Sequence, residues 1–133
     1  MSEAIPSATP AQPSPSAPAP KLPANVPASG DPQYAEREIQ IVENLKKIYD
    51  PEIPMNIVDL GLIYGFDWKD DAVTLHMTLT APGCPVAGIL AEEVKLAIEK
   101  VSTVKGATVD MVWEPPWTPE RMSEFAKRQF GYL

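Results

Sequence analysis

Thr78-Leu79-Thr80-Ala81-Pro82-Gly83-Cys84-Pro85-Val86 is the stretch around which the chain is organised, and it contains the one cysteine of the sequence. Residues 73–80 alternate apolar and polar side chains, the period of a half-buried strand. Residues 86–101 repeat apolar side chains every three or four positions, the period of a helix. Cys84 therefore falls where a strand is predicted to give way to a helix. Pro85 suits the first helical position, where its missing N–H has no partner to lose. Gly83 lets the backbone turn tightly. Unpaired N–H groups and the positive end of the helix dipole face a cysteine so placed. Both favour the thiolate, and such cysteines titrate at roughly 3.5–7.5. A thiolate attacks electrophiles and binds soft metals. A lone cysteine is often just a small buried hydrophobe, but turn residues on both sides of this one argue against that role.

Working outward, the first thirty residues differ from the rest. They hold eight prolines and seven alanines, with Glu3 and Lys21 the only charges. Such a segment cannot bury enough apolar surface to offset its ordering entropy. Residues 1–30 are expected to be a disordered, partly polyproline-II tail serving as a spacer. Residues 31–133 then form one domain of ordinary size. The net charge of −7 argues against a sequence-independent nucleic-acid binder, which needs a basic face. No run approaches the ~18 apolar residues of a membrane span. There is no basic start followed by an apolar run, so a secretory signal is not expected. A single cysteine cannot close an internal disulfide, which fits a reducing, cytoplasmic setting.

Asp31-Pro32 reads as a helix cap followed by a first-turn proline. Ala35, Ile39, Val42, Leu45 and Tyr49 would share the buried face of that helix. Asp50-Pro51 ends it, and Pro51 and Pro54 stiffen the loop that follows. Residues 57–68 read as a first strand, with Leu62, Tyr64, Phe66 and Trp68 on one parity. A short polar link leads to the second strand, so the two should pair antiparallel. Val73, Leu75, Met77 and Leu79 lie on one face of strand two, and Thr74, His76, Thr78 and Thr80 on the other. The next helix, from Cys84-Pro85, carries the stripe Val86, Leu90, Val94, Ala97, Ile98 and Val101. Residues 107–113 read as strand three, parallel to strand two through a crossover. Thr118-Pro119-Glu120 opens a last helix to about Gln129, closed by Gly131. The predicted fold class is α+β: a small α-β-β-α-β-α domain with a three-stranded mixed sheet packed with helices.

His76 lies eight residues before Cys84, too far along strand and turn for an ordinary Cys–His pair, so it reads as structural or solvated. Asp59, placed at the start of strand one beside Gly61, has three readings: metal ligand, acceptor for loop N–H groups, or turn cap. The last two are favoured near turns. Trp113 and Trp117 flank Glu114-Pro115-Pro116 and serve either as core or as an exposed recognition surface. The sequence has no Cys-x-x-Cys, phosphate loop, zinc ligand set or Gly-x-Ser-x-Gly. One cysteine cannot hold an iron–sulfur cluster alone. Two chains, or a chain and a partner, would be needed.

Three motifs in order carry a resemblance. Asp50-Pro51-Glu52-Ile53-Pro54 with Asn56-Ile57-Val58-Asp59-Leu60-Gly61-Leu62-Ile63-Tyr64 is the first. The cysteine loop at residues 78–85 is the second. Val112-Trp113-Glu114-Pro115-Pro116-Trp117-Thr118-Pro119 with Arg121-Met122-Ser123 is the third. Together they resemble the SufT and PaaD-like family of iron–sulfur maturation proteins over about residues 35–131. The ring-hydroxylation helpers of that family carry a cysteine-rich C-terminal extension, and some relatives a fused P-loop ATPase. Neither stands in these 133 residues, so a stand-alone SufT-like member is expected. The resemblance implies a non-enzymatic factor that assists cluster delivery to apo-proteins. It maps the family's reactive cysteine onto Cys84, with Asp59 as a second cofactor contact and Gly83, Pro85 and Thr80 shaping the binding loop. Cys84 would be the iron or cluster ligand, the cargo being held transiently and shared between chains, as in a homodimer, or with a partner. The expected partners are assembly scaffolds or carriers and apo-protein clients. The rival reading is an adaptor that joins scaffold and client through Trp113, Pro115, Pro116 and Trp117 without touching metal. A thiol enzyme is a third, weakened by the missing base.

Overall fold

A computed structural model describes residues 22–81 and 87–132 of the chain. Asp31 caps the first helical segment by accepting the Gln33 N–H at 3.1 Å. One 3-10 turn, Pro32–Tyr34, leads into α1, Ala35–Leu45. The buried face of α1 is Glu38, Ile41, Val42 and Leu45, spaced as neighbours on one helix side. This is rotated from the predicted face: Ala35 is exposed, Ile39 half-buried, and Tyr49 lies beyond the helix and is 60% exposed. The rotation follows from Glu38, which is 1% exposed. Its carboxylate accepts the Trp68 indole N–H at 2.7 Å and the Ser29 N–H at 3.3 Å. Those bonds bring a charged residue onto the inner stripe, which hydropathy cannot anticipate.

The predicted long first strand is two elements. Residues Ile57–Leu60 form a short helix, α2. Asn56 caps it by accepting the Asp59 N–H at 2.9 Å, and Gly61 ends it in the left-handed region at φ 82°. A cap and a terminating glycine outweigh the strand preference of Ile57 and Val58 here. β1 follows at Ile63–Lys69, β2 at Ala72–Met77, α3 at Ala87–Glu99 and β3 at Gly106–Met111. The sheet order is β1-β2-β3. β1 is antiparallel to β2, and β3 is parallel to β2, as the sequence predicts.

Register sets Ile63 opposite Met77 and Gly65 opposite His76, with an irregularity between them. This bulge at Tyr64 breaks the predicted parity. Ile63, Phe66 and Trp68, paired with Met77, Leu75 and Val73, share the helix-covered face. Gly65 and Asp67 share the other. Leu90, Val94, Ala97 and Ile98 of α3 are buried, as expected. The core lies between this sheet face and the helices, with Ile41, Leu45, Leu60, Ile63, Leu75 and Ile98 essentially inaccessible.

β3 ends at Met111, two residues short of Trp113. The single last helix predicted from Thr118 is also split. A 3-10 turn at Pro119–Arg121 is separated from α4, Glu124–Gln129, by Ser123, whose hydroxyl accepts the Ala126 N–H and caps α4. Within the proline-rich stretch, residues 22–30 pack on the domain: Val26 is 5% exposed and belongs to the core. Packing therefore begins upstream of Asp31.

Candidate functional site

Three loops gather at the end of the sheet where β2 and β3 finish and β1 begins. Thr78 N–H donates to Leu62 O at 2.9 Å and Val112 N–H to Met77 O at 2.8 Å. These bonds extend the ladder and hold the loops side by side. Residues 78–81 lead on from the end of β2 toward the cysteine stretch. Cys84, Gly83 and Pro85 themselves lie outside the described residues, as does the predicted start of α3 at Cys84-Pro85.

Thr80 is described, and its hydroxyl donates to Asp50 Oδ2 at 3.3 Å. Asp50 is 5% exposed. Its Oδ1 accepts the Glu52 N–H at 2.7 Å and the Ile53 N–H at 2.9 Å. One carboxylate thus folds the Pro51–Pro54 loop and fastens it to the strand end that leads to Cys84. Sequence reasoning took Asp50 only as a helix terminator. The missed signal is the Asp-Pro-Glu order, in which an Asp side chain bonds the backbone two residues on.

Asp59 stands in α2 rather than at a strand start. Its Oδ2 accepts Asn56 Nδ2 at 2.7 Å and its Oδ1 accepts the Ser123 hydroxyl at 2.7 Å. Its backbone carbonyl accepts the Ser123 N–H at 2.8 Å. Oδ1 holds the α4 cap to α2 and Oδ2 holds the α2 cap residue, so a cation at Asp59 would compete with both bonds. Next to it, the Trp117 indole N–H donates to Leu60 O at 2.6 Å, and the Tyr64 hydroxyl donates to Pro115 O at 2.7 Å. The Arg121 guanidinium lies 4.4 Å from the Tyr64 ring centroid. Burial raises the Tyr64 pKa, and Arg121 opposes the shift. Trp113 and Trp117 are half-buried and pack against the core, while Glu114, Pro115 and Pro116 are exposed. Trp117 is an anchor, and the surface it leaves is the Glu114–Pro116 rim.

His76 lies on the open sheet face. Its Nε2 is 2.7 Å from Asp67 Oδ2 and its Nδ1 is 2.8 Å from Asp110 Oδ2. Ionised carboxylates only accept, so both contacts are hydrogen bonds at once when the ring is the imidazolium. The bond to Asp67 raises its pKa most; burial opposes it, and the bond to Asp110 and the charges of both carboxylates add to the rise. This is a cross-strand tie, in line with the structural reading. Among the described residues no group of three or more His, Cys, Asp or Glu side chains is placed to hold a metal ion. No helix among them is long and apolar enough to cross a membrane.

The fold and its loop cluster define a small α+β domain that brings separate sequence motifs to one sheet end. A family model described as "Iron-sulfur cluster assembly protein" matches residues 38–111, more than half of the chain, and the chain belongs to that family. It is 46% identical over 102 residues to an "Fe-S protein maturation auxiliary factor" of Porphyromonas gingivalis, covering 76% of this chain and 97% of that one. It is 39% identical over 85 residues to the "Fe-S protein maturation auxiliary factor SufT" of Staphylococcus aureus, covering 63% and 97%. Among solved structures, a Bacillus anthracis domain of unknown function, DUF59, superposes with a TM-score of 0.66 at 37% identity, covering 74% of this chain and 94% of that one. The SufT resemblance and the α+β fold class are borne out by these matches.

Proposed function

We propose that this protein is a cytoplasmic, non-enzymatic auxiliary factor in iron–sulfur protein maturation, with iron or a cluster as cargo passing through the Cys84 thiolate. The observation that carries the reading is the convergence of the Asp50 loop, the strand end at Thr80 and the Trp117 motif in a chain of the iron–sulfur assembly family. Cys84 is assigned from sequence alone: the pattern predicts a strand-to-helix junction between Gly83 and Pro85, and helix N–H groups at such a junction would favour the thiolate. Soft iron sites take that ligand. The described residues supply no complete ligand set, so the remaining ligands come from a carrier, a client or a second copy. Asp59 acts on the scaffold through Ser123 rather than on the cargo.

The test is in cells under iron limitation. Cys84→Ala should lower the activity of iron–sulfur enzymes while leaving protein abundance unchanged; full activity in that variant would overturn the cargo role. The adaptor reading is favoured by one feature, the exposed Glu114–Pro116 rim between two anchored tryptophans. Anaerobic reconstitution with iron and sulfide separates the two. Cys84-dependent visible absorbance supports transfer, whereas client binding without absorbance supports the adaptor.

A further inference from the structure

We infer that residues 22–30 form a strap that clamps the junction of α2 with the C-terminal motif. Asn25 is the coupling residue. Its Nδ2 donates to Val58 O of α2 at 2.9 Å and to Arg121 O of the second 3-10 turn at 3.3 Å. Those two carbonyls belong to elements far apart in sequence. They flank the point where Gly61 lies so close to the Arg121 backbone that a Cβ would collide with it.

The amide is used one-sidedly. Asn25 Oδ1 is buried and has no hydrogen-bond partner among the described residues. An orphaned buried acceptor costs stability, so the position is explained by what the donor half does, which is to bridge the junction. Val26, the next residue, is anchored in the core. At the far end of the strap, Ser29 N–H donates to Glu38 Oε1 at 3.3 Å. The strap is thus anchored at Val26 and Ser29, both on the C-terminal side of the bridging amide.

The junction under Asn25 also carries the Asp59–Ser123 latch and the Trp117–Leu60 bond. With the strap seated, α2 and the C-terminal motif are held as one unit. With it lifted, the bridge is lost and the junction loosens. The strap lies outside the residues 38–111 that the family model matches.

The experiment is site-resolved amide hydrogen exchange on the full chain and on full-length Asn25→Ala and Val26→Asp. The reporters are the Ser123 amide, accepted by Asp59 O, and the Trp117 indole N–H; the β2 amides report global opening. Both variants should speed exchange at Ser123 and Trp117 by about tenfold or more, with the β2 amides within about threefold of the parent. Unchanged reporters in both variants would overturn the coupling, as would equal acceleration of the β2 amides, which makes the strap plain core. Acceleration in Val26→Asp alone would overturn the bridging role of Asn25.

Discussion

Gly61 is fixed by two separate constraints. Its φ of 82° is a conformation that L side chains rarely adopt, and a Cβ there would strike the Arg121 carbonyl. Neither constraint can relax without moving the α2–α4 latch. Gly61→Ala is therefore expected to cost about 3 kcal/mol, lowering Tm by more than about 10 °C in a domain of this size. Thermal unfolding followed by circular dichroism checks it; a loss under about 3 °C would show that the contact yields easily. Asp50 makes a second prediction at this scale. Asp50→Ala leaves the Glu52 and Ile53 N–H groups and the Thr80 hydroxyl without their acceptor. An expected loss of about 2 kcal/mol follows. Asp50→Asn keeps one oxygen for the two N–H groups and should recover most of it in the same melt.

Among the elements, the sheet owes part of its rigidity to the His76 imidazolium, which spans β1, β2 and β3 through Asp67 and Asp110. The folded-state pKa is raised, so the tie is fully present below the unfolded histidine value of about 6.5 and is lost as pH rises through the folded value. The Tm difference between the parent and His76→Gln should be larger at pH 6 than at pH 9. Its size will be modest, because Asp67 is 77% exposed and water screens the pair. A pH-independent difference would mean that the ring acts by packing alone.

The elements differ in how far their residues disclosed them in advance. β2, β3 and the body of α3 follow period-two and helical apolar patterns, and those patterns are set by burial on one face. α2 is a single turn, too short for a period to emerge. Its existence depends on the Asn56 cap and the Gly61 terminus, read in advance as a loop and a strand residue. The Tyr64 bulge is invisible for a similar reason, since one inserted residue leaves the composition of a strand unchanged. Asp50 and Trp117 were legible as residues but not as partners. A carboxylate that bonds loop N–H groups and an indole that bonds a carbonyl are decided by tertiary approach, which no local pattern records.

For the molecule as a whole, the cargo reading ties ligand count to assembly. The chain offers one cysteine, and its described residues bring no three candidate ligands together. An iron–sulfur cluster usually draws on four protein thiolates or their substitutes. A single copy therefore cannot retain one by itself with cysteine. Anaerobic reconstitution of the purified protein should give visible absorbance only in species whose native mass corresponds to at least two chains, or to this chain with an added carrier. The monomer fraction should stay colourless, and Cys84→Ala should leave every fraction colourless. The net charge of −7 opposes self-association at low ionic strength, so the coloured fraction should grow as salt is raised toward physiological levels. A coloured monomer would break the link between ligand supply and assembly, and would require protein ligands beyond the single cysteine.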